Sequence, residues 1–215
     1  VMGVTQGAGL SLKWFRDNFC MEEKRTAQLM KVDPYFLMDQ EAEVIMPGSE
    51  GLIYLPYLMG ERTPHLDPYA RGVFFGLSAK HEKSHMLRSI MEGVTYSLRD
   101  CLDIIKEMGI DINEVRASGG GGKSKLWRQM LADVFATAIY TINTDEGPAL
   151  GAAILAGVGT GIYKDVQEAC SLCVKLKSKQ ETNKTIYDKY NKYYKLYRSL
   201  YTSLKQNFKD LDELK

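Results

Sequence analysis

The stretch Ala117-Ser118-Gly119-Gly120-Gly121-Gly122-Lys123-Ser124 places four consecutive glycines between two segments of regular pattern. Such a run adds little to a packed core, but it lets a backbone pass close to a ligand. Upstream, Asn113-Glu114-Val115-Arg116-Ala117-Ser118 reads as a short strand. Downstream, residues 125–135 read as a helix, with Ser124 placed to cap its start. A strand, a bare loop and a helix N-terminus together make a natural nucleotide or anion site, because first-turn amides are unpaired. The alternative is a flexible turn with no ligand.

Two common phosphate motifs miss by one residue each. A G-x-x-x-x-G-K loop closed by Ser or Thr needs glycine at position 117, where Ala117 stands. A G-x-G-x-x-G fingerprint beginning at Gly119 needs glycine at 124, where Ser124 stands. The run therefore points to a nucleotide site of neither common kind.

Strands and helices alternate along the chain. Val1 to Gln6 reads as a strand, and Leu10, Leu12, Trp14, Phe15 and Phe19 lie on a helix after the Gly7-Ala8-Gly9 turn. Lys31 to Glu50 reads as an irregular connector, with Pro34, Pro47 and Gly48. Gly51 to Leu55 and Gly72 to Leu77 read as apolar strands. A long helix starts near Ser84: Leu87, Met91, Val94, Leu98, Cys101, Ile105 and Met108 recur in steps of three and four, and Gly109 stands at its stop. Gly93 inside that helix predicts a close backbone approach. After the glycine run and its helix, Ile139 to Asn143 reads as a strand, and Pro148 opens a small-residue helix reaching Gly157. The alternation is that of a layered α/β domain.

The tail carries Tyr187, Tyr190, Tyr194, Tyr197, Tyr201, Leu204, Phe208 and Leu211 as one stripe, separated by lysines. The pattern predicts a long C-terminal helix packed on its own domain, with tyrosine hydroxyls at the wet margin. A homodimer contact through the stripe is the alternative.

Composition excludes several classes. A net charge of +1 on 215 residues, with both signs mixed, offers no basic field for nucleic acid. No apolar run approaches the roughly 20 residues that span a bilayer. The start at Val1, without initiator methionine or a signal-like segment, reads as that of an excised fragment. Cys20, Cys101, Cys170 and Cys173 are too scattered for a disulfide framework, which points to a reducing cytoplasm. The lone Cys170-x-x-Cys173 reads as a buried helical thiol pair rather than a metal site, since His65, His81 and His85 do not complete a zinc set.

Several ordered segments resemble the FGGY carbohydrate kinases. Pro56 to Gly72, followed by Val73-Phe74-Phe75-Gly76-Leu77, looks like the C-terminal domain of that family. Gly60-Glu61-Arg62-Thr63-Pro64-His65 is similar to its xylulose kinase branch, whereas glycerol kinases resemble the chain from Asp67-Pro68 to Gly72. Met91-Glu92-Gly93, the 118–124 loop with Trp127-Arg128-Gln129, and Gly147 to Ala153 match in order. The resemblance covers roughly Val1 to Ala169.

It implies an actin-like, ribonuclease-H-like α/β fold. Residues 1–215 would form the C-terminal nucleotide-binding domain, a mixed sheet flanked by helices and ending in a long helix. The first strands of that domain and a whole N-terminal sugar-binding domain would be missing partners. ATP and Mg²⁺ are the implied cofactors, a small sugar the implied substrate, and D-xylulose 5-phosphate the implied product. By resemblance, Gly119, Gly120, Gly121, Gly122, Lys123 and Ser124 bind adenosine: Gly120 and Gly121 admit the base or ribose, and Ser124 faces the base. The Gly147 to Ala153 helix would pack beneath the nucleotide. Glu61, Arg62, His65 and Asp67 would either face the interdomain cleft or form a salt-bridged loop that fixes the Asp67-Pro68 turn. The resemblance places the catalytic base outside the chain, with Glu61, Asp67 and Asp145 as the fallback carboxylates. Other readings are a kinase for glycerol, gluconate or ribulose, and a non-catalytic actin-like ATPase module.

Overall fold

The computed structural model describes residues 1–144 and 147–214. Helix α1 (Ala8–Phe19) opens the regular structure and places Leu12 and Phe15 in the core. Helices α2 (Met21–Met30) and α3 (Pro34–Glu43) follow. The expected irregular connector therefore contains a helix. Pro34 starts it instead of breaking it, because proline at the first helical position loses no needed donor. Asp33 completes the cap, accepting a hydrogen bond from Tyr35 N at 3.0 Å.

Strands β1 (Ile53–Leu55) and β2 (Val73–Phe75) pair antiparallel, Tyr54 opposite Phe74. Helix α4 (Lys83–Glu107) packs across β1 and carries Leu87, Ile90, Met91 and Val94 into the core. Gly109 follows with φ +77°, the left-handed residue that ends it. A second, mixed sheet joins β3 (Val115–Arg116), β4 (Ile139–Ile142) and β5 (Leu176–Gln180), with β3–β4 parallel and β4–β5 antiparallel. Helices α5 (Gly119–Lys123) and α6 (Lys125–Phe135) lie between β3 and β4. Helices α7 (Gly147–Gly159) and α8 (Val166–Cys173) pack on each other before β5. Helix α9 (Lys184–Glu213) closes the fold against α6, β1 and α4.

Other segments differ from what the sequence predicts. Val1 to Gln6 forms no strand: its backbone partner is Thr63, whose N–H donates to the Val4 carbonyl at 3.0 Å. A strand needs a neighbouring ladder, and no strand pairs with this segment among the described residues. The hydroxyls of Tyr190, Tyr194 and Tyr197 on α9 are not at a wet margin. Tyr190 donates to Glu92 Oε1 at 3.1 Å, Tyr194 to Asp100 Oδ1 at 2.7 Å, and Tyr197 lies 3.1 Å from the Tyr57 hydroxyl, all buried. Burial thus pairs the polar tip as well as the ring. Cys170 and Cys173 lie on a helix as expected, but half-buried, Cys173 Sγ being 3.4 Å from the Tyr163 hydroxyl. No helix among the described residues is long and apolar enough to cross a membrane.

Candidate functional site

The glycine run is wound into the single short turn α5 rather than left as a bare loop. Its geometry explains why glycine is needed at only one of the four positions for conformation. Gly119 has φ +72°, a backbone value that strains any L side chain. Gly120 has no such angle, and a Cβ built on it would meet nothing within 4 Å. A Cβ on Gly121 would stand 3.4 Å from the Trp127 ring, and one on Gly122 would stand 3.0 Å from the Ala117 carbonyl. Gly122 is thus pressed against its own strand, while Gly119 and Gly120 face open space.

That space is a cavity of about 510 Å³ between α1, α3 and the turn. Gly119, Gly120, Gly121, Lys123 and Ser124 line it, with Gly9 and Leu12 from α1, Asp33, Tyr35, Phe36 and Asp39 from the α3 region, and Trp127 from α6. Gly120, Gly121 and Gly122 line a second, more apolar cavity of about 560 Å³ under α4, β3 and α6, which shares Gly9 and Trp127 with the first. Helix α1 reaches the first cavity at Gly9, and its N-cap residue, Gly7, provides no side-chain cap. Its first-turn amides therefore remain available to an anion.

The turn is held from behind. Ser124 caps α6, accepting from Trp127 N at 3.0 Å, as its position in the sequence predicts. Trp127 Nε1 donates to Thr95 Oγ1 of α4 at 2.9 Å and locks the start of α6 to the core. Arg128 Nη1 donates to the carbonyls of Gly122 at 2.7 Å and Lys123 at 3.0 Å, satisfying the last acceptors of the turn. Its Nε donates to Gln180 Oε1 of β5 at 2.9 Å. Sequence reasoning gave Arg128 no role; an arginine one turn into a helix that follows glycines was the available signal.

Asp39 was missed altogether, because α3 was read as an irregular connector. Burial pushes its carboxyl up, its hydrogen bond with Ser124 opposes that, and Glu43 and Asp33 add like charge.

The Glu61 to Asp67 loop does not line this cavity. Glu61 and Asp67 are buried and exchange two backbone hydrogen bonds, at 2.9 and 3.1 Å. Hydrogen bonds, not the expected salt bridges, fix the loop. Glu61 Oε1 accepts from Gln6 N at 2.9 Å and Arg62 N at 2.7 Å, and Oε2 accepts from the Thr5 hydroxyl at 2.9 Å. Asp67 accepts from Tyr69 N at 2.9 Å and the Tyr201 hydroxyl at 2.8 Å. His65 stacks on Tyr201, ring centroids 3.5 Å apart, and burial lowers its pKa to about 4. Carboxylates so fully engaged are poor candidates for a general base. Asp145 lies outside the described residues. The helix from Gly147 packs on α8 and does not line the first cavity. No group of three or more His, Cys, Asp or Glu among the described residues could hold a metal ion.

Comparison with known proteins gives the family. Residues 1–160 match the profile of the FGGY family of carbohydrate kinases, C-terminal domain. A xylulose kinase of Staphylococcus epidermidis (strain ATCC 35984 / RP62A) is 38% identical over 210 residues, 98% of this chain and 40% of that protein. A gluconokinase of Bacillus subtilis is 39% identical over 160 residues, 74% of this chain and 31% of that protein. The ligand-bound xylulose kinase from Lactobacillus acidophilus superimposes with a TM-score of 0.82 at 27% identity, covering 96% of this chain and 40% of that one. The chain therefore spans about 40% of the length of the xylulose kinases it matches. Its fold is the actin-like α/β arrangement that the sequence implied, and the chain belongs to the FGGY family of carbohydrate kinases, matching its C-terminal domain.

Proposed function

We propose that this chain is the nucleotide-binding C-terminal part of an ATP-dependent kinase that converts D-xylulose to D-xylulose 5-phosphate in the cytoplasm. In that reaction a sugar hydroxyl oxygen bonds to the γ-phosphorus, the bond to the bridging oxygen breaks, and ADP leaves. An N-terminal sugar-binding domain supplies the base, the remaining phosphate contacts and most of the sugar pocket. Phosphoryl transfer needs in-line placement and charge stabilisation more than covalent help, so separate domains can share the work.

The observation that carries this proposal is the open space in front of Gly119 and Gly120, in a cavity with Ser124, Lys123 and the start of α1 on its walls. Its chemistry fits ATP. Leu12, Phe36 and Trp127 offer apolar surface to a base. The α1 N-terminus favours negative charge. Mg²⁺, when bound, would neutralise phosphate charge; no group of three or more His, Cys, Asp or Glu among the described residues could hold it without the phosphates. D-xylulose is favoured over other sugars by the Gly60 to His65 segment and by the xylulose kinases that match across almost the whole chain. Gluconate is the second reading, because the gluconokinase match is equally high in identity, though over less of the chain.

A panel of D-xylulose, gluconate, glycerol and L-ribulose, assayed by coupled ADP release with the whole kinase, tests the substrate. The highest kcat/KM is expected for D-xylulose. A clear preference for gluconate or glycerol would overturn that choice while leaving the nucleotide site intact.

A further inference from the structure

The cavity beside the glycine turn carries a carboxylate on its wall. Asp39 of α3 lines it together with Ser124. Ser124 Oγ accepts from Trp127 N, so its own proton is left to donate, and Ser124 favours the ionised form of Asp39. An ionised carboxylate has about four acceptor positions. Asp39 is half-buried; Asp33 and Glu43 add negative charge near it, and Arg128 is the counter-charge that opposes them.

We propose that Asp39 is a specificity residue of the nucleotide site: it accepts hydrogen bonds from the ribose hydroxyls and so selects ribonucleotides over deoxyribonucleotides. This rests on the assignment of adenosine to the glycine turn. Donor and acceptor patterns separate ribose from base. The adenine edge presents a donor at N6 beside an acceptor at N1, and an ionised carboxylate supplies acceptors only. The ribose 2′,3′-diol presents two adjacent donors and matches it on both. A carboxylate on ribose hydroxyls is also how dinucleotide sites commonly hold the sugar. The apolar walls at Leu12, Phe36 and Trp127 then remain for the base.

The test is a set of dissociation constants for ATP, 2′,3′-dideoxyATP and GTP, measured on the whole kinase and on its Asp39→Asn and Gly120→Val variants. The unmodified enzyme should hold ATP about 10- to 100-fold more tightly than the dideoxy analogue, the range of hydrogen bonds to a charged group. Asp39→Asn should shrink that ratio to below about threefold and leave the ATP-to-GTP ratio unchanged. No discrimination by the unmodified enzyme would overturn the proposal, whether or not the variant folds. An unchanged dideoxy ratio in a folded Asp39→Asn protein would overturn it too. A shift confined to the GTP ratio would assign Asp39 to the base and equally overturn it. Undiminished ATP binding by Gly120→Val would instead refute the adenosine assignment itself, so the two failures are distinguishable.

Discussion

Gly93 of α4 faces the Tyr54 carbonyl of β1 so closely that a Cβ would stand 2.2 Å from that oxygen. The long helix therefore crosses the small sheet backbone to backbone, and this crossing sets the distance between the two layers. Gly93→Ala gains roughly 0.5–1 kcal/mol of helix propensity. It also overpacks a rigid crossing, at a cost of about 1–3 kcal/mol or more. Net destabilisation is expected, read as a lower urea midpoint. An unchanged or higher midpoint would mean that α4 and β1 stand further apart.

The buried Glu92, next in the chain, ties α9 to the crossing. Its carboxylate accepts from Arg88 Nε, Gly48 N and Ser49 Oγ, each at 2.9 Å, and from the Tyr190 hydroxyl at 3.1 Å. Removing one member of a buried ion pair leaves the other uncompensated, at a cost of about 3–5 kcal/mol. Glu92→Ala should lose stability on that scale, whereas Tyr190→Phe, which removes the donor to Glu92 and the acceptor of Arg88 Nη2 but no charge, should lose about 1.5–3 kcal/mol. Equal losses in urea titrations would contradict this ranking.

Asp100 gives the fold a pH dependence of known sign. Burial raises its carboxyl from 3.8 to about 6, against the Tyr194 hydroxyl and Arg198, which favour the ionised form. The folded state thus binds this proton more tightly than the unfolded state. Its contribution is most favourable below about pH 4 and is lost as pH rises to about 6. Asp100→Asn should therefore gain stability relative to the parent as pH rises from 4 to 7. The upper bound on that gain is about 3 kcal/mol, since each pKa unit corresponds to about 1.4 kcal/mol. A difference that does not change with pH would show that Asp100 titrates normally.

Much of this was legible in the sequence because local signals and tertiary packing agree. The period of α4, the cap at Ser124, the stop at Gly109 and the tight contact at Gly93 all follow from residue type and spacing. The unread parts depend on context. Pro34 breaks or starts a helix according to whether Asp33 is free to cap it. Strand β5, Leu176-Lys177-Ser178-Lys179-Gln180, carries almost no apolar pattern and is defined by its pairing with β4. Val1 to Gln6 has strand-like composition, but among the described residues no ladder joins it. The glycines of the site were conspicuous, but Asp39 reaches it from more than 80 positions earlier in the chain, through a helix the sequence reading did not assign.

Arg128 should matter for binding without touching ligand, because it holds the Gly122 and Lys123 carbonyls at the end of the turn. Arg128→Ala leaves those acceptors short and frees the turn. Its dissociation constant for ADP should rise by about 5- to 20-fold, the scale of one or two hydrogen bonds. Arg128→Lys should recover only part of this, since lysine lacks the forked donors. Full recovery by lysine would show that charge alone is needed.

The 215-residue chain by itself should have no sugar kinase activity. A positioned base contributes about 10²–10⁴-fold in rate. In-line placement of the reactants supplies roughly 7–11 kcal/mol of the barrier. Under the proposal both depend on the N-terminal part. ADP release with D-xylulose, comparing the chain with the whole kinase, is the check. Turnover by the chain within tenfold of the whole enzyme would relocate the base to this half.

The central claim, a nucleotide seated against the glycine turn, is tested most directly by titrating ADP into the whole kinase and its Gly120→Val variant. Gly120 has no left-handed angle and its Cβ would meet no protein atom within 4 Å, so the substitution should leave the melting temperature nearly unchanged while filling the space the ligand needs. A rise of at least about tenfold in the ADP dissociation constant, or about 1.4 kcal/mol, is the expected result. Undiminished ADP affinity in the folded variant would contradict the account.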